Sequence, residues 1–200
     1  MSLIAPSRET PPRRLAPTSI SEVDLLAQEA QEGIARDFSN GIWGEAKIAG
    51  IQHNEIVNTV NIRLWLHFQA HPEQGRVYTD GLTYVLKGTP NAIAVSRLPD
   101  LSVMSLEQRQ AVKNPAGLAY FAPMIAVEVV SPTESPKTVR DKVDDYLTYG
   151  TQEVWVIYPD AQEVIIHQAD RTTRAYALGD SLASALLPDF QLPLADLFSA

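Results

Sequence analysis

Apolar positions recur along the chain with two periods, and the switches between them outline the elements. In residues 54–68, Val57, Val60, Leu64 and Phe68 repeat at helical intervals, predicting an amphipathic helix that ends near His71-Pro72. An earlier helix is predicted after Ser19 or Ser21: a serine N-cap, early acids that suit the helix dipole, Val23, Leu26 and Ala30 on one face, and Gly33 as its stop. Turn signals and short apolar pieces over 37–52 predict a hairpin or irregular strand pair. Strand patterns follow at 76–80, 82–86, 92–98 and 98–104, punctuated by Gly75, Gly81, Gly88, Pro90 and Pro99, before a short helix over 105–113. A strand over 125–130 leads to a helix over 135–149, with Ser135 at its N-cap, Pro136 in its first turn and Gly150 just past its end. Strand patterns at 153–159, 163–168 and 174–178 precede an apolar tail over 186–198. Residues 1–17, rich in Pro, Ser and Arg, have no apolar period and are expected to form a flexible arm. The order of elements predicts one α/β domain over 18–200, built around a mixed sheet flanked by helices.

The strand IAVEVV contains a puzzle. Ile125, Val127 and Val129 share one face, while Ala126, Glu128 and Val130 share the other, so both faces are apolar apart from one carboxylate. Such a strand is central and covered on both sides, where an uncompensated charge costs several kcal/mol or more. Glu128 therefore needs a cation, a hydrogen-bonding partner, a proton or an opening to solvent. An ion pair with Arg or Lys is one answer. Asp100, in LPDLSVM after the bend imposed by Pro99, is either a turn-forming Asp or a second answer: two carboxylates on adjacent strands form a hard-oxygen site suited to Mg²⁺ or Mn²⁺. Lys142 flanks the buried stripe Val139, Val143, Tyr146 and Leu147 and can reach toward Glu128 or lie along the core edge. His53 stands at the start of the long helix, as a cap, a hydrogen bonder or a site residue.

Composition narrows the chemistry. The 200 residues include no cysteine, which removes disulfides, thiolate metal sites and cysteine nucleophiles and agrees with a cytoplasmic protein. No apolar run is long enough to span a bilayer, so no membrane partner is expected. The net charge of -8 opposes tight non-specific binding of a polyanion, but the acidity is concentrated after Val143. No Walker loop, GxSxG, HExxH or dinucleotide fingerprint occurs.

LPD at 98–100, VEVVSPT at 127–133, Lys142, Tyr146, Gly150, EVWVIYPD at 153–160 and the ending LLPDFQLPLADLF together resemble the Uma-type restriction endonucleases of the PD-(D/E)xK nuclease superfamily. The resemblance covers roughly residues 20–200. It implies a restriction-endonuclease-like core, a Mg²⁺-dependent (or Mn²⁺-dependent) DNA phosphodiesterase site and often a homodimer. It implies Asp100 and Glu128 as the metal-binding acids. Val130 stands where an ExK motif has its lysine, so that role falls to Lys142 on the following helix. It further implies an acid ahead of His53; the spacing lands on Asp37, where the family has Glu, with Glu45 as the alternative. Met124 stands where the family usually has an aspartate. The alternative reading is a nuclease-fold interaction or dimerisation module without activity.

Overall fold

The computed structural model describes residues 18–44, 49–79 and 81–199; the arm expected over 1–17 and the candidate Glu45 lie outside them. The chain begins with α1 (Glu22–Glu32), β1 (Phe38–Ser39), β2 (Ile42–Trp43) and the long α2 (Ile51–Ala70). It continues through β3 (Arg76–Thr79), β4 (Tyr84–Thr89), β5 (Ala92–Arg97), β6 (Leu101–Met104) and α3 (Leu106–Ala111). Then come β7 (Ile125–Val129), α4 (Pro136–Thr148), β8 (Glu153–Tyr158), β9 (Glu163–Gln168) and β10 (Thr173–Tyr176). The expected apolar tail forms β11 (Ser181–Ser184), β12 (Leu187–Pro193) and α5 (Leu194–Leu197).

The central sheet has six strands in the order β10-β9-β8-β7-β6-β3. Only the β7–β8 pair is parallel, because α4 carries the chain back across the sheet between them. Side chains alternate on β7 as its pattern requires. Ile125, Val127 and Val129 join α2, Trp155, Ile157 and the β11–β12 hairpin in one core. Ala126 joins Val154, Val156 and the α4 residues Val139, Val143 and Tyr146 in the other.

Local caps act as the sequence predicts. Ser21 accepts a hydrogen bond from the Asp24 N–H, and Gly33 ends α1 at φ 70°, in the left-handed region that glycine enters at little cost. Ser135 accepts from the Thr138 N–H to start α4. The expected central mixed sheet is the six-stranded one, but not every strand belongs to it: β4 and β5 join β1 and β2 in a separate four-stranded sheet, and β11–β12 is a third. The chain leaves the second sheet at Arg97 and enters the first at Leu101, across Pro99, which has no N–H to continue a ladder. One expectation fails: α1 does not bury Val23 and Leu26, which are 76% and 41% exposed; Leu25 is the buried residue. An antiparallel bridge between Ile20 and Ile93 fixes the roll of α1, and Leu25 then packs with Val85 and Ile93.

Candidate active site

The register of β6 against β7 pairs Leu101 with Val127, so one step further along the two strands brings Asp100 opposite Glu128. The two acids therefore belong to one end of one strand pair. Asp100 Oδ2 accepts a hydrogen bond from the Val129 N–H at 2.7 Å, which fixes the side chain against β7. Its other oxygen lies 3.4 Å from His53 Nε2, in the first turn of α2. His53 Nδ1 is buried and meets no hydrogen-bond partner among the described residues.

Glu128 answers the puzzle of its strand with two side chains from α4. Lys142 Nζ donates to Oε2 at 3.1 Å, and the Tyr146 hydroxyl donates to Oε1 at 2.9 Å. Positions 142 and 146 are four apart on the helix, so both side chains descend from the same face onto one carboxylate. Lys142 is not a solvated surface lysine: its side chain is 5% exposed. The same ammonium lies 2.6 Å from Glu134 and 3.9 Å from Asp37. Burial pushes the Tyr146 phenol well above its usual range, and the negative charges of Glu128 and Asp37 push it further.

Asp37 and Arg97 tie the small sheet to this cluster. Asp37 Oδ1 accepts from the Leu98 N–H at 2.8 Å, and Oδ2 lies 3.3 Å from Arg97 Nη1. The Arg97 guanidinium also grips Asp145 through Nε and Nη2. Burial alone pulls the Arg97 pKa down, but Asp37 and Asp145 more than offset it, so the guanidinium stays charged.

These groups surround a cleft of about 200 Å³ lined by Asp37, His53, Arg97, Asp100, Glu134 and Lys142, among others. Glu128 lies beneath the lining, behind Lys142. The structure thus gathers Asp37, His53, Asp100, Glu128 and Lys142 in one place. It adds Arg97, Glu134 and Asp145, which sequence patterns did not single out, and gives Tyr146 a polar role beside its expected place in the core. The i, i+4 spacing of Lys142 and Tyr146 was the signal for the last of these.

Counting the described residues alone, the carboxylates Asp37, Asp100, Glu128, Glu134 and Asp145 outnumber the fixed cations Arg97 and Lys142. Among the described residues, no three His, Asp or Glu side chains are grouped so as to hold a metal ion. Mg²⁺ needs fewer protein ligands than that, since it keeps several waters and commonly takes one or two carboxylates plus substrate phosphates. Asp100 and Glu128 offer two carboxylates on neighbouring strands, the donor chemistry that a hard divalent cation takes.

In the solved structure of a protein described as a putative nuclease belonging to DUF820, from Anabaena variabilis ATCC 29413, the same fold recurs: TM-score 0.70, 22% identity, 82% of this chain and 90% of that one covered. No curated protein matches the chain. The family model of Uma2, described as "Putative restriction endonuclease", matches residues 22–195. With nearly its whole length accounted for by that model, and with the motif acids gathered at one end of its sheet, the chain belongs to the Uma2 family of the nuclease type.

Proposed function

We propose that this protein is a cytoplasmic, metal-dependent endonuclease that hydrolyses DNA phosphodiester bonds with Mg²⁺ or Mn²⁺. The observation that carries the reading is the juxtaposition of Asp100 and Glu128 across β6 and β7, with the Lys142 ammonium 3.1 Å from Glu128 and on the wall of the cleft. Asp100 and Glu128 would hold the cation, which when bound neutralises phosphate charge and lowers the pKa of an attached water. Lys142 places a fixed positive charge where a phosphoryl oxygen can accept a hydrogen bond as its charge develops. Arg97 and the Leu98 N–H hold Asp37 at the rim, and His53 orients Asp100. The same reading takes the protein as a homodimer. Ile62, Trp65 and Leu66, half exposed on α2 at positions three and four apart, supply an apolar patch for self-association, which sedimentation measures.

A second reading, an interaction module that retains the nuclease scaffold without activity, is favoured by one observation. Both Glu128 oxygens already accept hydrogen bonds, and the residue lies behind the cleft wall. Incubation with supercoiled and linear DNA and either metal, beside a Glu128→Ala control, separates the two. The nuclease reading expects metal-dependent nicking by the wild type alone. No cleavage under any condition, or equal cleavage by the variant, would overturn it.

A further inference from the structure

Among the described acids around Lys142, Glu134 makes the shortest contact, at 2.6 Å, and its placement differs from that of the others. Glu128 is fixed in a central strand and lies behind the cleft wall. Asp37 is more distant, at 3.9 Å, and is held by the Leu98 N–H and Arg97. Glu134, by contrast, comes from the short connection between β7 and α4, is 11% exposed at the side chain, and lines the cleft itself. On its other side it lines a second groove of about 600 Å³, together with Ser131, Val130, Pro136, Arg140 and Tyr158. The Glu134 carboxylate is thus part of the partition between two open spaces. A rotation about its own side-chain torsions would turn it toward the second groove, lined by Arg140 and Arg171 as well as Asp144 and Asp160, without unmaking a helix or a strand.

We propose that Glu134 is a positioning residue that stands in for the substrate's phosphate: it occupies the anionic place on Lys142 until nucleic acid displaces it. This deepens the nuclease reading and rests on it. The argument is one of charge and donors. A lysine ammonium has three donors; Glu128 and Glu134 lie within hydrogen-bond distance of this one, and of the two only Glu134 stands on the cleft lining, where a phosphate oxygen can take its place. The cleft already carries Asp37 and Asp100 on its lining, so an added phosphate meets like charge there. Exchanging the Glu134 carboxylate for a phosphate oxygen leaves the charge around Lys142 nearly constant. Adding phosphate without that exchange does not. While the cleft is empty, the same carboxylate holds the ammonium in the direction that the phosphate later needs.

The test is equilibrium binding of a fluorescently labelled DNA duplex by anisotropy, with chelator present so that no cleavage occurs. It compares wild type, Glu134→Gln, Lys142→Met, the double variant, and Asp141→Asn, which removes one exposed negative charge of α4 outside the cleft. Glu134→Gln should bind about tenfold tighter than wild type, Asp141→Asn within about twofold of it, and the gain should vanish in the Lys142→Met background. Thermal unfolding checks the fold of each variant; Glu134→Ala serves in place of Glu134→Gln if the latter is unstable, and Lys142→Gln, which keeps a donor for Glu128, serves in place of Lys142→Met. No gain beyond that of Asp141→Asn, or a gain that survives Lys142→Met, overturns the proposal. If the wild type cleaves DNA with metal while Glu134→Gln shows no gain, this proposal fails and the nuclease reading stands. If no protein binds or cleaves, both fail.

Discussion

Replacing Lys142 by Met tests whether the Glu128–Lys142 pair is the internal compensation that lets a carboxylate sit in the central strand. The two side chains are 5% and 3% exposed and 3.1 Å apart. At an effective dielectric of about 20, unit charges at that distance attract by about 5 kcal/mol. Removing one partner of a buried pair typically costs about 3–5 kcal/mol, because the other remains desolvated. Lys142→Met should therefore cost about 3–5 kcal/mol, a large share of a typical domain stability of about 5–15 kcal/mol. Glu128→Gln preserves volume and an acceptor for Tyr146, and leaves Lys142 beside Glu134 and Asp37, so its cost is smaller, about 1–2 kcal/mol. The double variant removes both ions of the pair but still takes the Lys142 cation from Glu134 and Asp37, so it costs more than Glu128→Gln, and the cycle should show a coupling of about 2–3 kcal/mol. Urea unfolding at pH 7 measures all four corners. A cost below about 1 kcal/mol for Lys142→Met, or strict additivity of the two changes, would refute the reasoning.

Two further outcomes follow from other buried groups. Burial raises the Tyr84 and Tyr146 phenols above their unfolded value of about 10, so both bind their protons more tightly in the folded state. The resulting stability is fully present below about pH 10 and is lost as pH rises above it. Near-ultraviolet absorbance should show these two tyrosines ionising only with unfolding, whereas reversible ionisation near pH 10 in the folded protein would contradict it. Elsewhere, buried Glu153 accepts from Trp155 Nε1 at 2.8 Å and from Ser184 Oγ at 2.7 Å, fastening β11 to the sheet. Glu153→Leu strands both donors at about 1–3 kcal/mol each, while Glu153→Gln keeps an acceptor and should cost less; thermal unfolding compares them.

The sequence by itself determined what depends on neighbours along the chain. The alternation in IAVEVV marked a strand buried on both faces and singled out Glu128, and the Ser135, Pro136 and Gly150 signals bounded α4, because pleat and caps are local physics. Spacing also put Lys142 and Tyr146 on one side of that helix. Tertiary structure decided which groups meet. The departure of β4 and β5 into a second sheet, the hairpin formed by the apolar tail and the roll of α1 around Leu25 all turn on long-range pairing, to which local periodicity is blind. Arg97 and Glu134 reach the cleft for the same reason: one ends a strand of the second sheet, the other lies in a connection, and neither has a repeating pattern to mark its direction. The chain itself shows that Glu128 needs a compensating partner. Only the packing of α4 on β7 decides that Lys142 and Tyr146 provide it, since a side chain's electrostatic neighbours are set by distances in space rather than by separation along the sequence.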